Sequence, residues 1–193
     1  MNIEVWHGVG KRIQNPNEAC QFVSELMESC KDKTFNGLIT TNFTNSPSQI
    51  HKSISAFCSE CNKMFDLKAI YLEMNGFDIN PDRWYFDLFG YKAVPPNDDS
   101  LDWLAEWQSP DYRSITLTGL ESIQKIYSIY MSNKLYKDKD KADNEELATL
   151  LVMAKFCKLI VESLDNKKLD VHVYATAHDF DIIYHKTPDK SYS

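Results

Sequence analysis

The fold is decided by LKAIYLEMNGFDINPDRWYFDLFGYK, residues 67–92, which reads as two β-strands joined by a turn. Apolar residues alternate along the first arm, so one face of that strand would be buried. The inward side chains would be Ile70, Leu72 and Met74. The turn-forming sequence NPD, residues 80–82, separates the two arms. We therefore predict a β-hairpin at the centre of the chain.

The second arm of this hairpin is aromatic on both faces. Strand parity places on one face Trp84, Phe86 and Leu88. It places on the other face Tyr85, Phe89 and Tyr91. One of these faces therefore needs a cover. Beyond the loop AVPPNDDS, Ser100 would cap a short helix that carries four large apolar residues: Leu101, Trp103, Leu104 and Trp107.

The N-terminal part of the chain repeats a pattern of one strand followed by one helix. The predicted strands are IEVWHGV, residues 3–9, and GLITTNF, residues 37–43. After each strand, an N-cap residue, a proline and a capping-box side chain begin a helix, first at Asn15 and then at Ser46. We expect these strands to run parallel to the first arm of the hairpin, through right-handed crossovers.

Two helices and one or two strands are predicted in the C-terminal part. Thr118 and Glu121 form a capping box for a helix over residues 119–133, and Asp143 with Glu146 would begin the longest helix. The stripe of the first helix is Leu120, Ile123, Tyr127 and Tyr130. The stripe of the second is Leu147, Leu150, Leu151, Ala154, Cys157, Val161 and Leu164. We expect these two helices to pair as an antiparallel hairpin.

The predicted fold class is therefore α/β to α+β. It is a single globular domain over residues 1–193 with a mixed β-sheet, and residues 187–193 form a frayed tail. The sheet would be built from N-terminal βαβαβ units, the β-hairpin, the helical pair and C-terminal strands.

The five cysteines are sparse and odd in number, and the chain begins without an apolar segment of signal-peptide length. We therefore expect a cytoplasmic protein, and one that does not enter a membrane, because charge interrupts every apolar run. The only close pair, Cys58 and Cys61, lies on the apolar stripe of the second predicted helix, far from its N-terminus. Packing in the core therefore fits this pair better than redox chemistry or zinc binding.

The net charge of −7 comes from one segment of the chain. Residues 71–112 contain nine acidic residues and two basic ones, whereas the segments on either side are balanced. Nucleic acid is therefore not an expected partner, because binding phosphates requires a positive surface. The same segment contains three of the four tryptophans. Aromatic anchors among carboxylates are typical of a surface that captures a basic protein.

We therefore expect a non-enzymatic, acidic protein-binding domain that uses no cofactor. It would mask the active site of a basic toxin such as a nuclease, in the manner of an immunity protein or antitoxin. The expected binding residues are Asp82, Trp84, Asp87, Asp98, Asp99, Asp102, Trp103, Glu106, Trp107 and Asp111. Alternatively, the aromatic residues fill the core and the acidic residues form a solvated rim.

A second interpretation is a small-molecule or phosphate-binding α/β enzyme, whose ligand lies in the loops after the first two predicted strands. The residues for this site would be Lys11, Arg12, Thr41, Asn42, Thr44 and Ser46. A third interpretation is a subunit of a larger assembly, joined through one aromatic face of the hairpin: Tyr85, Phe89 and Tyr91.

Three histidines near the C-terminus raise the question of a metal site: His172, His178 and His185. Their spacing matches no metal-ligand motif. On a single continuous strand, His172 and His178 would share a face and His185 would lie on the opposite one. We therefore expect a solvated strand edge and no metal.

Overall fold

The computed structural model describes residues 3–77, 80, 82–94, 101–110, 113–165 and 167–188. Its α-helices are α1 (Ile3–Gly10), α2 (Pro16–Ser29), α3 (Gly37–Thr40), α4 (Pro47–Cys61), α5 (Glu121–Ser132) and α6 (Lys139–Leu164). Its strands are β1 (Ala69–Asn75), β2 (Tyr85–Tyr91), β3 (Ile115–Thr116), β4 (His172–Ala177) and β5 (Tyr184–Lys186). Short 3-10 helices span Asp102–Ala105 and Leu135–Lys137.

The five strands form one mixed sheet in the order β3-β2-β1-β4-β5. The predicted hairpin is confirmed, because β1 and β2 pair antiparallel with Leu72 opposite Leu88 and Met74 opposite Phe86. On its other side β1 pairs parallel with β4, so that Ile70 lies opposite Val173. The predicted class, a single domain with a mixed sheet and helices, is therefore confirmed.

The helices α4 and α6 cover the first face of this sheet, and α2 packs against α6. Helix α6 lies at the centre of the layer and contacts α2 most extensively, then α4. Phe156 of α6 reaches the sheet, where its ring packs 5.3 Å from that of Phe86. The hairpin residues predicted to point inward are fully buried here: Ile70, Leu72 and Met74. The core therefore lies between α6 and the central hairpin.

The prediction of two N-terminal strands is wrong. Residues 3–10 form helix α1, which packs so closely on α2 that a Cβ on Gly8 would lie 2.6 Å from the Phe22 ring. Residues 37–40 form helix α3, and residues 41–46 are outside the sheet. Strand preference in short β-branched segments depends on the available neighbours, and β2 and β4 occupy both sides of β1.

The predicted helices of the C-terminal part exist, but their starts and their pairing differ. Helix α6 begins at Lys139, because the carboxylate of Asp138 accepts hydrogen bonds from the backbone N–H groups of Asp140 and Lys141. It therefore begins before the predicted cap at Asp143. The main neighbours of α6 are α2 and α4, rather than α5 as predicted.

Candidate functional site

The acidic, aromatic segment of the sequence forms a strap over the second face of the sheet; we call residues 101–110 the strap. The ring of Trp103 packs 5.1 Å from the Tyr91 ring and 5.0 Å from the Tyr174 ring. Hydrogen bonds fix the strap at both ends, from the Tyr91 hydroxyl to the Leu104 carbonyl and from the Gln108 N–H to the Gly90 carbonyl. The strap thus supplies the cover that the second aromatic face of the hairpin needs.

The predicted binding residues have different fates in the structure. Trp84 is fully buried, and Asp87 is also buried, so neither side chain can meet a partner. The residues that remain exposed are Asp82, Asp102, Glu106 and Trp107. Three predicted residues lie outside the described part of the chain: Asp98, Asp99 and Asp111.

The strap also covers part of the aromatic hairpin face that the sequence suggested as a subunit interface. Phe89 and Tyr91 are buried beneath it, together with Tyr71. Of the three predicted interface residues, only Tyr85 is half-exposed, and Arg83 lies 4.7 Å above its ring. Among these three residues, Tyr85 alone therefore keeps a partly accessible ring.

Trp107 differs from the other tryptophans of the segment because it is 41% exposed. Its ring packs 5.2 Å from that of Phe89, which holds the indole on the sheet while its outer surface meets solvent. The exposed carboxylates of Asp102 and Glu106 lie on the same strap. We call Asp102, Glu106 and Trp107 the acidic strap surface.

A cluster of polar side chains that no sequence pattern predicted lies on the same hairpin, near the end of β1 and the start of β2. Glu73 and Asp87 face each other across the two strands, in direct register. Hydrogen bonds from Ser114 and Asn75 stabilise the Asp87 carboxylate. The Glu73 carboxylate accepts a hydrogen bond from the Tyr71 hydroxyl and lies 2.9 Å from the Nδ1 of His178.

These contacts explain why like charges are tolerated on opposite strands. Like charges directly opposite each other destabilise a sheet unless other groups compensate them. Here each carboxylate has its own set of donors, and the hydrogen bond with Glu73 raises the pKa of His178. Glu73 is visible in the sequence only as a lone acid in the first arm, and His178 lies 105 residues away.

We expect His178 to make stability depend on pH. Its pKa in the folded protein lies above the ordinary value near 6.5, so its contribution is complete below pH of about 6.5. That contribution is lost as pH rises through the folded pKa. The difference in unfolding free energy between wild type and His178→Gln should therefore shrink from pH 5 to pH 8, as measured by urea denaturation. NMR titration of His178 supplies a second check. Removal of the carboxylate in Glu73→Gln should lower the pKa of His178. A His178 pKa in the wild type at or below the ordinary value would contradict the role of Glu73.

The other two histidines meet on one face of the sheet, contrary to the single-strand prediction. A turn separates β4 from β5, and Tyr174 pairs with His185 across these strands. His172 Nδ1 therefore lies 2.9 Å from His185 Nε2, and burial together with His172 lowers the pKa of His185. Among the described residues, no group of three metal-ligating side chains occurs.

The cysteine pair packs in the core, as the helical spacing predicts. Cys58 and Cys61 are both buried on α4. Burial, with a smaller contribution from Cys61, raises the pKa of the Cys58 thiol to about 12. Because the thiolate is the reactive species, burial disfavours redox chemistry at this thiol. The five cysteines are all free thiols.

Helices α1 and α3, rather than the predicted strands, precede the two loops proposed for phosphate binding. Arg12 lies 4.4 Å above the Phe22 ring and donates to the carbonyl of Gly8. In the other loop, the Lys155 ammonium donates to the carbonyl of Thr41 and to the side chain of Asn42. The remaining predicted residues have local positions as well: Lys11 lines a cleft on α1, Thr44 bonds to Thr118, and Ser46 bonds to Ser48.

Comparisons of the chain with family models, with curated proteins and with solved structures found no match. In the described part of the chain, none of the helices combines the length and the apolar character that crossing a membrane requires.

Proposed function

We propose that the protein is a non-enzymatic binding protein whose acidic strap surface captures a basic protein partner. The observation that supports this most is the half-exposed indole of Trp107, which rests on Phe89 beside exposed carboxylates. Tryptophan is enriched among the residues that contribute most to binding energy at interfaces. Surrounding carboxylates accelerate the encounter with a positively charged surface.

The mechanism we propose is occlusion of a functional surface on the partner. An acidic domain that covers a positive active site competes with a phosphate-rich substrate, as an immunity protein or antitoxin would for a nuclease toxin. Five free thiols fit a reducing compartment, so we place this interaction in the cytoplasm. Residues 92–100, between β2 and the strap, contain two acids, Asp98 and Asp99, and one base, Lys92, so the charge of this segment also favours a cationic partner.

The test is capture of a partner from the source cell, followed by titration of the purified pair. We expect the double variant Asp102→Lys and Glu106→Lys to weaken binding by at least about tenfold, because carboxylates that attract the partner become cations that repel it. Trp107→Ala should weaken binding by about thirtyfold, as expected for a central aromatic anchor. Isothermal titration calorimetry at low and high salt measures both effects.

The matched control is Glu25→Lys with Glu28→Lys, which makes the same change of charge at exposed positions on α2. We expect this control to retain nearly all of the wild-type affinity. Equal losses for the two double variants would show that net charge alone governs binding. Affinity that does not change with salt would rule out electrostatic capture.

A further inference from the structure

A cleft of about 380 Å³ opens at the edge of the sheet where β1 and β4 end. These strands are parallel, so their carboxyl ends meet at this edge. Phe77 follows β1, His178 follows β4, and both line the cleft. Ligands of open α/β sheets characteristically bind outside the carboxyl ends of parallel strands. No described residue of the strap lines this cleft.

The backbone has a positive φ at both strand ends that border the cleft, and it is strained at Phe77. Phe77 adopts a φ of 57° and Asp179 a φ of 63°, in the left-handed region. A bulky residue such as phenylalanine is a true outlier there. Such conformations persist only where the surroundings enforce them, and they concentrate at ligand-binding sites. Both Phe77 and Asp179 line the same cavity.

Aromatic rings form two walls of the cleft. The rings of Phe77 and Phe180 lie 6.1 Å apart, and those of Tyr130 and Tyr136 lie 6.4 Å apart. Tyr136 is 46% exposed, so part of this side chain is accessible from solvent. Aromatic faces attract cations through their negative quadrupole.

Glu145 on α6 places a carboxylate in the same cleft, and a chain of hydroxyls holds it. The Thr149 hydroxyl donates to Glu145 at 2.9 Å. Since that hydroxyl has one proton, the buried Tyr127 hydroxyl must donate to Thr149, across 2.7 Å. Two donors in series thus orient a carboxylate on the surface of a helix.

The charge of the cleft is negative. Glu145 and Asp179 line it, and the lining imidazole of His178 lies 2.9 Å from the Glu73 carboxylate and 3.6 Å from the Asp179 carboxylate. These three carboxylates outnumber the single imidazole. None of the described lining residues is lysine or arginine. By contrast, the cleft of about 530 Å³ beside the end of α6 is lined by Lys167, Lys168 and Lys186. The negative cleft therefore selects against anions.

We propose that the cleft between β1, β4, α5 and α6 binds an organic cation, an alkylammonium or guanidinium group. The cation lies against the aromatic walls, and its charge faces the carboxylates of Glu145 and Asp179. This site goes beyond the proposed capture of a basic protein and does not depend on it.

The experiment is an NMR titration of the whole protein with choline and with agmatine. Both should shift the backbone amide resonances of Phe77 and of residues 178–180, whereas 3,3-dimethylbutan-1-ol, the neutral isostere of choline, should bind much more weakly. Glu145→Gln should weaken the binding of choline by about tenfold. Tyr136→Ala should weaken it by about fivefold, because one cation–π contact is lost.

The control variant is Glu162→Gln, the same chemical change on the same helix at an exposed residue outside the cleft. It should bind choline as wild type does. The proposal is overturned if neither cation shifts these resonances at about 10 mM, if the neutral isostere binds as tightly as choline, or if Glu145→Gln retains full affinity. The blocked peptide acetyl-Gly-Lys-Gly-amide distinguishes a cation on a protein side chain from a free small molecule. If the peptide binds more tightly than choline and agmatine, the natural ligand is a protein side chain. If it binds more weakly, the natural ligand is a free small molecule.

Discussion

Replacing Trp84 with alanine should lower the free energy of unfolding by about 3 to 5 kcal/mol, the range typical for removing a large aromatic side chain from a core. Trp84 is 0% exposed, and its ring lies 5.6 Å from both the Phe77 and Tyr127 rings. Gly76 leaves room for it, since a Cβ there would lie 2.8 Å from the indole. The alanine variant would leave a cavity that these rigid neighbours cannot fill.

Urea denaturation of Trp84→Ala and Trp107→Ala compares a core tryptophan with a surface one. Trp107→Ala should cost no more than about 1 kcal/mol, because much of its indole already meets water. Trp84→Phe should cost less than Trp84→Ala, since it retains a ring and removes an indole N–H without a partner among the described residues. Equal destabilisation by the two alanine variants would place both tryptophans in the same environment, contrary to the structure.

Strand parity could already have separated these tryptophans. Trp84 is in phase with Phe86 and Leu88, which the sequence assigns to one face of the second arm, and all three are fully buried in the structure. Trp103 and Trp107 lie outside any strand, so parity says nothing about them. Their positions depend on how the strap crosses the sheet, and that path depends on contacts between distant parts of the chain.

The same distinction explains which elements could be predicted. The hairpin and the helices α2 and α4 have strong local signals, because alternation or an apolar stripe extends through each of them. Residues 3–9 and 37–43 have short β-branched runs that fit either a strand or a buried helix. In the folded chain, residues 3–10 form helix α1, which packs on α2 rather than in the sheet.

The candidate sites were less predictable than the fold, because their residues come from distant parts of the chain. The cleft combines the end of β1 with α5, α6 and the turn after β4. No local pattern connects Glu145 to Phe77 or His178. The charge of residues 71–112 was evident from the sequence, whereas the burial of Asp87 depends on Ser114 and Asn75.

A second large effect is expected at Gly119, where two loops cross. Gly119 has a φ of 102°, and a Cβ on it would lie 2.6 Å from the Asn42 carbonyl oxygen and 2.8 Å from the Thr44 nitrogen. Both contacts are with backbone, which cannot rotate away as a side chain could. The loops are also tied by a hydrogen bond from the Thr44 N–H to the Thr118 carbonyl. Any movement that relieves the clash must therefore break this pairing.

Gly119→Ala should accordingly destabilise the protein by about 2 to 6 kcal/mol, since about 1 to 3 kcal/mol for the strained backbone adds to a similar cost for overpacking. Thermal and urea denaturation measure the loss. Gly10→Ala is the matched control, because a Cβ there meets nothing within 4 Å at the end of α1, and alanine should be neutral or slightly stabilising. If Gly119→Ala were as stable as wild type, the loop of residues 41–46 would not be packed against residues 116–119. The backbone of residues 41–46 would then be free to bind the phosphate ligand that their sequence suggests. In the packed arrangement, the Thr44 N–H instead donates to the Thr118 carbonyl and stabilises the fold.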